Sequence, residues 1–259
     1  MRYASQIRTY NILNKKGFYR FNMTSPALII LGMHRSGTSC LAGSLQQAGL
    51  FCGDVVESAP YNKKGNRENL DIMALNTAIM QHNDGDWDSP TEITNWSDGH
   101  VIERDKIIQA LSSDTEHLWG FKDPRTMFTL PFWQAGISDF LLTASYRHPL
   151  AVASSLQARN NFTIEKGLAL WKRYNLRLLS YLQDNEFPVI CFDVTRDQYE
   201  KDINRITNAF ELENSLKQEK FYSDVLINQS SKNQSPLPAD IQSIYDELNT
   251  IYSSQSGSI

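Results

Sequence analysis

At 259 residues, with 41% apolar and 11% aromatic side chains, the chain can build one α/β domain with a sizeable core. This excludes a disordered protein and leaves little room for a second full domain. A formal net charge of −4 argues against broad electrostatic binding to nucleic acid.

The first 25 residues carry Arg2, Arg8, Lys15, Lys16 and Arg20 and no acid. They are expected to form a solvated basic arm, with contact to a membrane surface or a partner as the alternative. This stretch lacks an uninterrupted apolar segment, and no run approaches the ~18 apolar residues of a membrane span. A cytoplasmic location is therefore expected. Cys40, Cys52 and Cys191 lack CxxC spacing and are odd in number, which suits buried thiols in a reducing compartment. His34, His82, His100, His117 and His148 are scattered without ligand spacing, so no metal is expected.

Residues 26–259 are read as a single domain. The apolar run Ala27–Leu31 predicts a buried strand, followed by a glycine-rich turn and an amphipathic helix that runs to Gly49. Segments 50–67 and 83–99 are rich in Gly, Asp, Asn, Pro and Ser and predict long loops. Loops of that length are uncommon in a compact domain unless they cover a site. Between them, Leu70, Met73, Ala74 and Ile79 give helical spacing over 68–82. Further strands are expected at Leu118–Phe121, Phe140–Tyr146 and Phe187–Phe192, with a helix opening at Pro149 and running through 159. Leu168, Trp171, Leu178 and Leu182 share one face of a helix over 165–184. A linker at 228–236 leads to a last helix over 238–252. Strands alternating with helices predict an α/β three-layer sandwich around a central parallel sheet.

The chemistry begins after the first strand. In Gly32-Met33-His34-Arg35-Ser36-Gly37-Thr38-Ser39, two glycines separated by four residues let backbone N–H groups converge on an anion. The next helix aims its positive end at the same spot. This is the order of a P-loop, which makes the expected fold P-loop nucleoside triphosphate hydrolase-like. A Walker A loop would carry lysine where Thr38 stands. Arg35 inside the loop instead offers a planar fork suited to phosphate or sulfate oxygens.

The run His34-Arg35-Ser36-Gly37-Thr38-Ser39 resembles the 5′-phosphosulfate loop of sulfotransferases that use 3′-phosphoadenosine 5′-phosphosulfate (PAPS). The resemblance implies that His34, Arg35, Ser36, Gly37, Thr38 and Ser39 hold this co-substrate. Their second fingerprint is an Arg at the end of a central strand and a Ser eight positions later, both on the 3′-phosphate. Arg147 and Ser155 match it, with Ser154 as the alternative. Tyr61–Asn69, Leu75-Asn76 and Asp86-Trp87 resemble bacterial members acting on polysaccharide, lipid or other small acceptors. Phe121–Arg125 resembles a K-D-P-[RF] segment found there and in tyrosylprotein sulfotransferases; Trp171 and Tyr174-Asn175 are similar too. These matches span about residues 27–195. The C-terminal G-x-x-G-x-x-K loop of cytosolic small-molecule members is absent from the sequence.

The resemblance implies transfer of a sulfuryl group to an acceptor hydroxyl of a glycan, lipid or small molecule by in-line displacement, without a metal. Arg35 and Lys122 are the expected catalytic cations. Lys122 stands at the end of an expected strand beside the loop. Asp123 is expected to orient Lys122 or Arg125. Glu68 is the expected base, with Asp54 and His34 as alternatives. Lys63, Lys64 and Arg67 hint at an acidic acceptor, against ordinary loop solubility. The competing readings are a P-loop kinase or nucleotide hydrolase with a degenerate loop, and an inactive nucleotide-binding module.

Overall fold

The structure is a computed structural model that describes residues 26–58, 65–113, 118–212 and 236–257. The basic arm, Lys63, Lys64, His117 and nearly all of the expected linker lie outside the described residues. Among the described residues, β1 (Ala27–Leu31), β2 (Trp119–Lys122), β3 (Phe140–Tyr146) and β4 (Val189–Cys191) form one parallel sheet in the order β2-β1-β3-β4. The helices are α1 (Thr38–Gln47), α2 (Leu70–His82), α3 (Asp98–Ser112), α4 (Thr126–Gln134), α5 (Pro149–Asn160), α6 (Ile164–Asp184), α7 (Arg196–Ala209) and α8 (Ala239–Ser256).

The expected α/β architecture with a central parallel sheet is what forms. β1 and β3 have the expected bounds, whereas β2 is shifted by one residue, which brings Lys122 into register beside Ile30. β4 is shorter than expected and starts just after Pro188, which has no N–H to give to a ladder. Helices α3, α4 and α7 are additions to the sequence reading. α4 is apolar nearly all round and contains Pro131, so it offers no stripe to recognise. α7 does carry one: Tyr199, Ile203 and Ile206 are buried at helical spacing.

Alternation along β1 sorts the core into two layers. Ala27, Ile29 and Leu31 face an apolar cluster shared with α2 to α6 and α8, while Leu28 and Ile30 face α1 and α7. Burial of two apolar sheet faces under separate helix layers is the physical content of the sandwich. Several helices begin on side-chain caps: Asn69 accepts from Asp71 N and Ile72 N, Thr163 from Lys166 N, and Thr195 from Gln198 N. Each such cap is worth about 1 kcal/mol.

From β1 the chain crosses to β2 on one side. From β3 it crosses to β4 on the other. The carboxyl ends of the adjacent strands β1 and β3 therefore frame a switch point, where open α/β sheets place ligands. At the β2 edge, Phe51 N donates to Leu118 O at 2.9 Å and Gly120 N donates to Phe51 O at 2.8 Å, a single-residue parallel bridge. No described helix is long and apolar enough to cross a membrane.

Candidate active site

The loop after β1 is bent by glycines that no other residue could replace without movement. Gly32 has φ +134°, and a Cβ there would lie 2.3 Å from Ser145 O on β3. Gly37 has φ +83°, and its Cβ would meet the Phe192 ring at 2.2 Å. The hydroxyl of Ser145 donates to Ser36 O at 2.6 Å, tying the loop to β3. Arg35 adopts φ 66°, a left-handed conformation uncommon for a non-glycine residue. α1 then starts with no side-chain cap and no acid in its first turn, so its positive end faces the loop uncompensated by carboxylate.

Arg35 Nε donates to Ser155 Oγ at 2.7 Å. The loop after β1 and the helix after β3 thus meet through one hydrogen bond between residues 120 positions apart. Ser155 is buried at 3% exposure, and it rather than Ser154 makes this contact. Arg147 Nε donates to Asp193 Oδ1 at 3.0 Å, and the backbone N–H of His148 donates to Asp193 Oδ2 at 2.7 Å. One carboxylate just past β4 therefore fixes the strand end. The indole N–H of Trp171 donates to Arg147 O at 2.8 Å, so this buried helix-face Trp supports the site as well as the core. The Arg147 guanidinium also lies 5.3 Å from the Phe192 ring centroid.

At the end of β2, Lys122 Nζ donates to Glu68 Oε1 at 2.8 Å and to Ser39 Oγ at 3.4 Å. Both side chains of the pair are buried, at 1% and 8% exposure. Ser39 in turn donates to Asn66 O at 2.9 Å, which draws the loop before α2 onto the start of α1. Glu68 stands just ahead of the α2 cap Asn69 rather than inside the helix. Asp54, the other carboxylate considered as base, is exposed.

Asp123 engages Arg125 and leaves Lys122 to Glu68. Its Oδ1 accepts from Arg125 N at 2.9 Å and Arg125 Nη1 at 3.0 Å, while Asn76 Nδ2 donates to Oδ2 at 3.2 Å. Asn76 is fully buried. It also donates to Thr126 Oγ1 at 3.1 Å, and its Oδ1 accepts from Thr129 Oγ1 at 2.6 Å and Trp133 Nε1 at 2.8 Å. That amide therefore spends its whole donor and acceptor capacity on α4 and the β2–α4 turn. Burial, chiefly, pushes the Asp123 carboxyl up, while Arg125 pulls the other way.

His34 packs on Trp87 at 4.8 Å and on Tyr174 at 6.1 Å between ring centroids. Its Nε2 and the Ser36 Oγ are buried without a hydrogen-bond partner. Burial, reinforced by Arg125, Arg159, Lys122 and Arg35, holds His34 well below the usual histidine range, hence neutral near pH 7. Burial together with Arg159 and Arg147 lowers Arg35 to about 10. Arg35, Lys122, Arg125, Arg147 and Arg159 surround the site, while Glu68, Asp123 and Asp193 each take up one cation. The excess of positive charge, orphaned buried polar atoms and uncapped helix end together fit a polyanionic ligand. No metal-holding group of His, Cys, Asp and Glu occurs among the described residues.

Comparison with solved structures settles the fold. The sulfotransferase domain from the olefin synthase of Synechococcus PCC 7002 superposes with a TM-score of 0.55 at 13% identity, over 90% of this chain and 98% of that one. The chain has the sulfotransferase fold. The sulfotransferase domain from the curacin biosynthetic pathway matches with a TM-score of 0.53 at 15% identity, over 87% of this chain and 98% of that one. No protein-family profile matches the chain, and no curated protein matches it by sequence.

Within the sulfotransferase fold, the expected loop residues, Lys122, Glu68, Arg147 and Ser155 are brought around one switch point. Arg67, part of the acidic-acceptor hint, donates to Glu57 at 3.0 Å. Sequence reasoning missed Asp193 and Arg159. Asp193 directly follows the strand expected at Phe187–Phe192, but no motif marks a lone carboxylate there as the partner of Arg147. Arg159 carries a legible signal, because it lies one helical turn beyond Ser155 and so shares its face.

Proposed function

We propose that this chain is a sulfotransferase that moves a sulfuryl group from PAPS to an acceptor hydroxyl. The observation that carries the reading is the Arg35–Ser155 hydrogen bond, which joins the two nucleotide fingerprints into one cleft at the β1/β3 switch point. In this reading the α1 end and residues 34–39 hold the 5′-phosphosulfate, and Arg147 with Ser155 holds the 3′-phosphate. Residues 26–259 act as one domain.

The displacement forms an acceptor O–S bond as the S–O bond to the adenosine phosphate breaks. Arg35 and Lys122 stabilise charge on the equatorial and bridging oxygens. The Glu68 carboxylate takes the hydroxyl proton, and its ion pair with Lys122 holds it in position beforehand. Lys122 exchanges this carboxylate for sulfuryl oxygens when the donor arrives, which releases Glu68 to act as base. Proton removal of this kind is worth about 10²- to 10⁴-fold in rate, so Glu68→Gln should slow transfer by that order with little change in nucleotide affinity.

Binding provides the first test. The product nucleotide, 3′-phosphoadenosine 5′-phosphate (PAP), should raise the melting temperature well above the effect of AMP, since it binds only the folded state and adds a 3′-phosphate. Arg147→Ala should weaken PAP by about 10- to 100-fold, the usual cost of a charged hydrogen-bond partner. Equal stabilisation by PAP and AMP removes the Arg147 assignment. Magnesium-dependent ATP turnover with no transfer from labelled PAPS would favour the kinase reading instead.

A further inference from the structure

Two cations at the site have no place in the nucleotide assignment above. Arg159 lies in the last turn of α5, four residues after Ser155, and thus on the face that reaches Arg35. Its guanidinium sits 5.3 Å over the Trp87 ring. Trp87 stacks on Phe162 at 5.8 Å and packs against His34 at 4.8 Å. The hydrogen bond from Arg159 Nε goes to the neighbouring Asn160 side chain at 2.6 Å. No described carboxylate pairs with it. Arg125 is the second cation: one arm is held by Asp123 at 3.0 Å, while its Nε is buried without a partner.

The two guanidinium groups share an electrostatic neighbourhood with the candidate base. The charge of Arg159 is disfavoured first by burial and also by Arg125, and it is favoured by Glu68. Arg159 also acts on His34 and Arg35. A partly buried guanidinium packed on indole and short of a counter-ion is costly unless an anion completes it. The aromatic wall offers a flat apolar surface beside that charge.

We propose that Arg159 and Arg125 form an anion subsite for the acceptor, so that the molecule receiving the sulfuryl group itself carries a carboxylate or phosphate ester and lies against Trp87. The proposal rests on the sulfotransferase reading and adds the class of acceptor. The shared chemistry is an anion close to the reacting hydroxyl. Arg159 then sets specificity, and Arg125, already tethered by Asp123, gives the second contact.

The test uses calorimetric titration of the PAP-saturated full chain with two matched pairs of probes. One pair is methyl β-glucuronide and methyl β-glucoside; the other is glycerol 3-phosphate and glycerol. At least one acid should bind about tenfold or more tightly than its neutral partner, the gain expected of a charged hydrogen bond. The pair that shows this identifies the anion as carboxylate or phosphate. Arg159→Met should erase the preference while PAP affinity stays within about threefold, and Arg159→Lys should keep part of it because charge survives without the planar fork. The proposal is overturned if both acids bind no better than their partners. It is also overturned if Arg159→Met weakens PAP as much as the acid, which would hand that guanidinium to the nucleotide. Should PAP itself fail to bind, the sulfotransferase reading falls. The acid preference of the unliganded chain, its loss in Arg159→Met and its survival in Arg147→Ala would then still decide the anion subsite.

Discussion

The two ends of the cleft are built by different means. At the β1/β3 end, short chain segments carry their own geometry: Gly32 and Gly37 bend the loop, α1 follows at once, and Arg147 closes β3. At the β2 end, the geometry comes from residues far apart in sequence. Lys122 meets Glu68 across 54 positions, and Asn76 reaches Asp123, Thr126, Thr129 and Trp133 across about 50. The first end is a motif tied across the sheet by single bonds such as Arg35–Ser155, and the second is a network of several shared ones. A motif tolerates loss of one donor because backbone groups do much of the holding, whereas a buried network leaves each abandoned partner unsatisfied.

The contrast can be broken most directly at the Lys122–Glu68 pair. Lys122→Met leaves a buried carboxylate without its cation, which should cost about 3–5 kcal/mol of stability in urea unfolding. A variant as stable as the parent would show that water reaches Glu68 freely and that this end is no closed network. Asn76→Leu comes next. It removes an amide with four side-chain partners and should destabilise by about 3 kcal/mol. A loss under about 1 kcal/mol would mean the partners re-pair among themselves.

The smallest effect sharpens the loop end. His34 is held below its ordinary value of 6.5, first by burial and then by surrounding cations. The unfolded chain therefore binds the proton that the folded chain refuses. Its contribution is complete above about pH 6.5 and falls as the pH drops below that value, by at most about 1.4 kcal/mol per unit. His34→Gln should flatten that part of the stability profile between pH 7 and 5.5, measured as the difference from the parent at each pH. An unchanged slope would place His34 in contact with solvent.

The same division explains what could be read from the sequence. β1 and β3 have the bounds that their apolar runs predict, and the loop residues sit where glycine spacing demands. Lys122 and Glu68 were each legible as candidates, but their ion pair was not, because periodicity says nothing about which loop folds over which strand. Asp123 shows the limit well: Lys122 and Arg125 were both open as its partner, the bond goes to Arg125, and the distant Asn76 that also holds it was not legible. α4 escaped notice because a helix buried on every side, with Pro131 within it, has no polar stripe to set its period. Asp193 stands right after the expected strand end at Phe192, but its bond to Arg147 spans 46 positions and no local pattern announces it.

Phe51 has a consequence outside catalysis. By occupying hydrogen-bonding groups along the outer side of β2, it caps a surface on which a foreign strand would otherwise template. Open sheets invite self-association at such margins, and natural chains blunt them with short segments like this one. Strand addition is thereby blocked at the Leu118–Gly120 stretch of that flank without adding charge beside the cation-rich cleft.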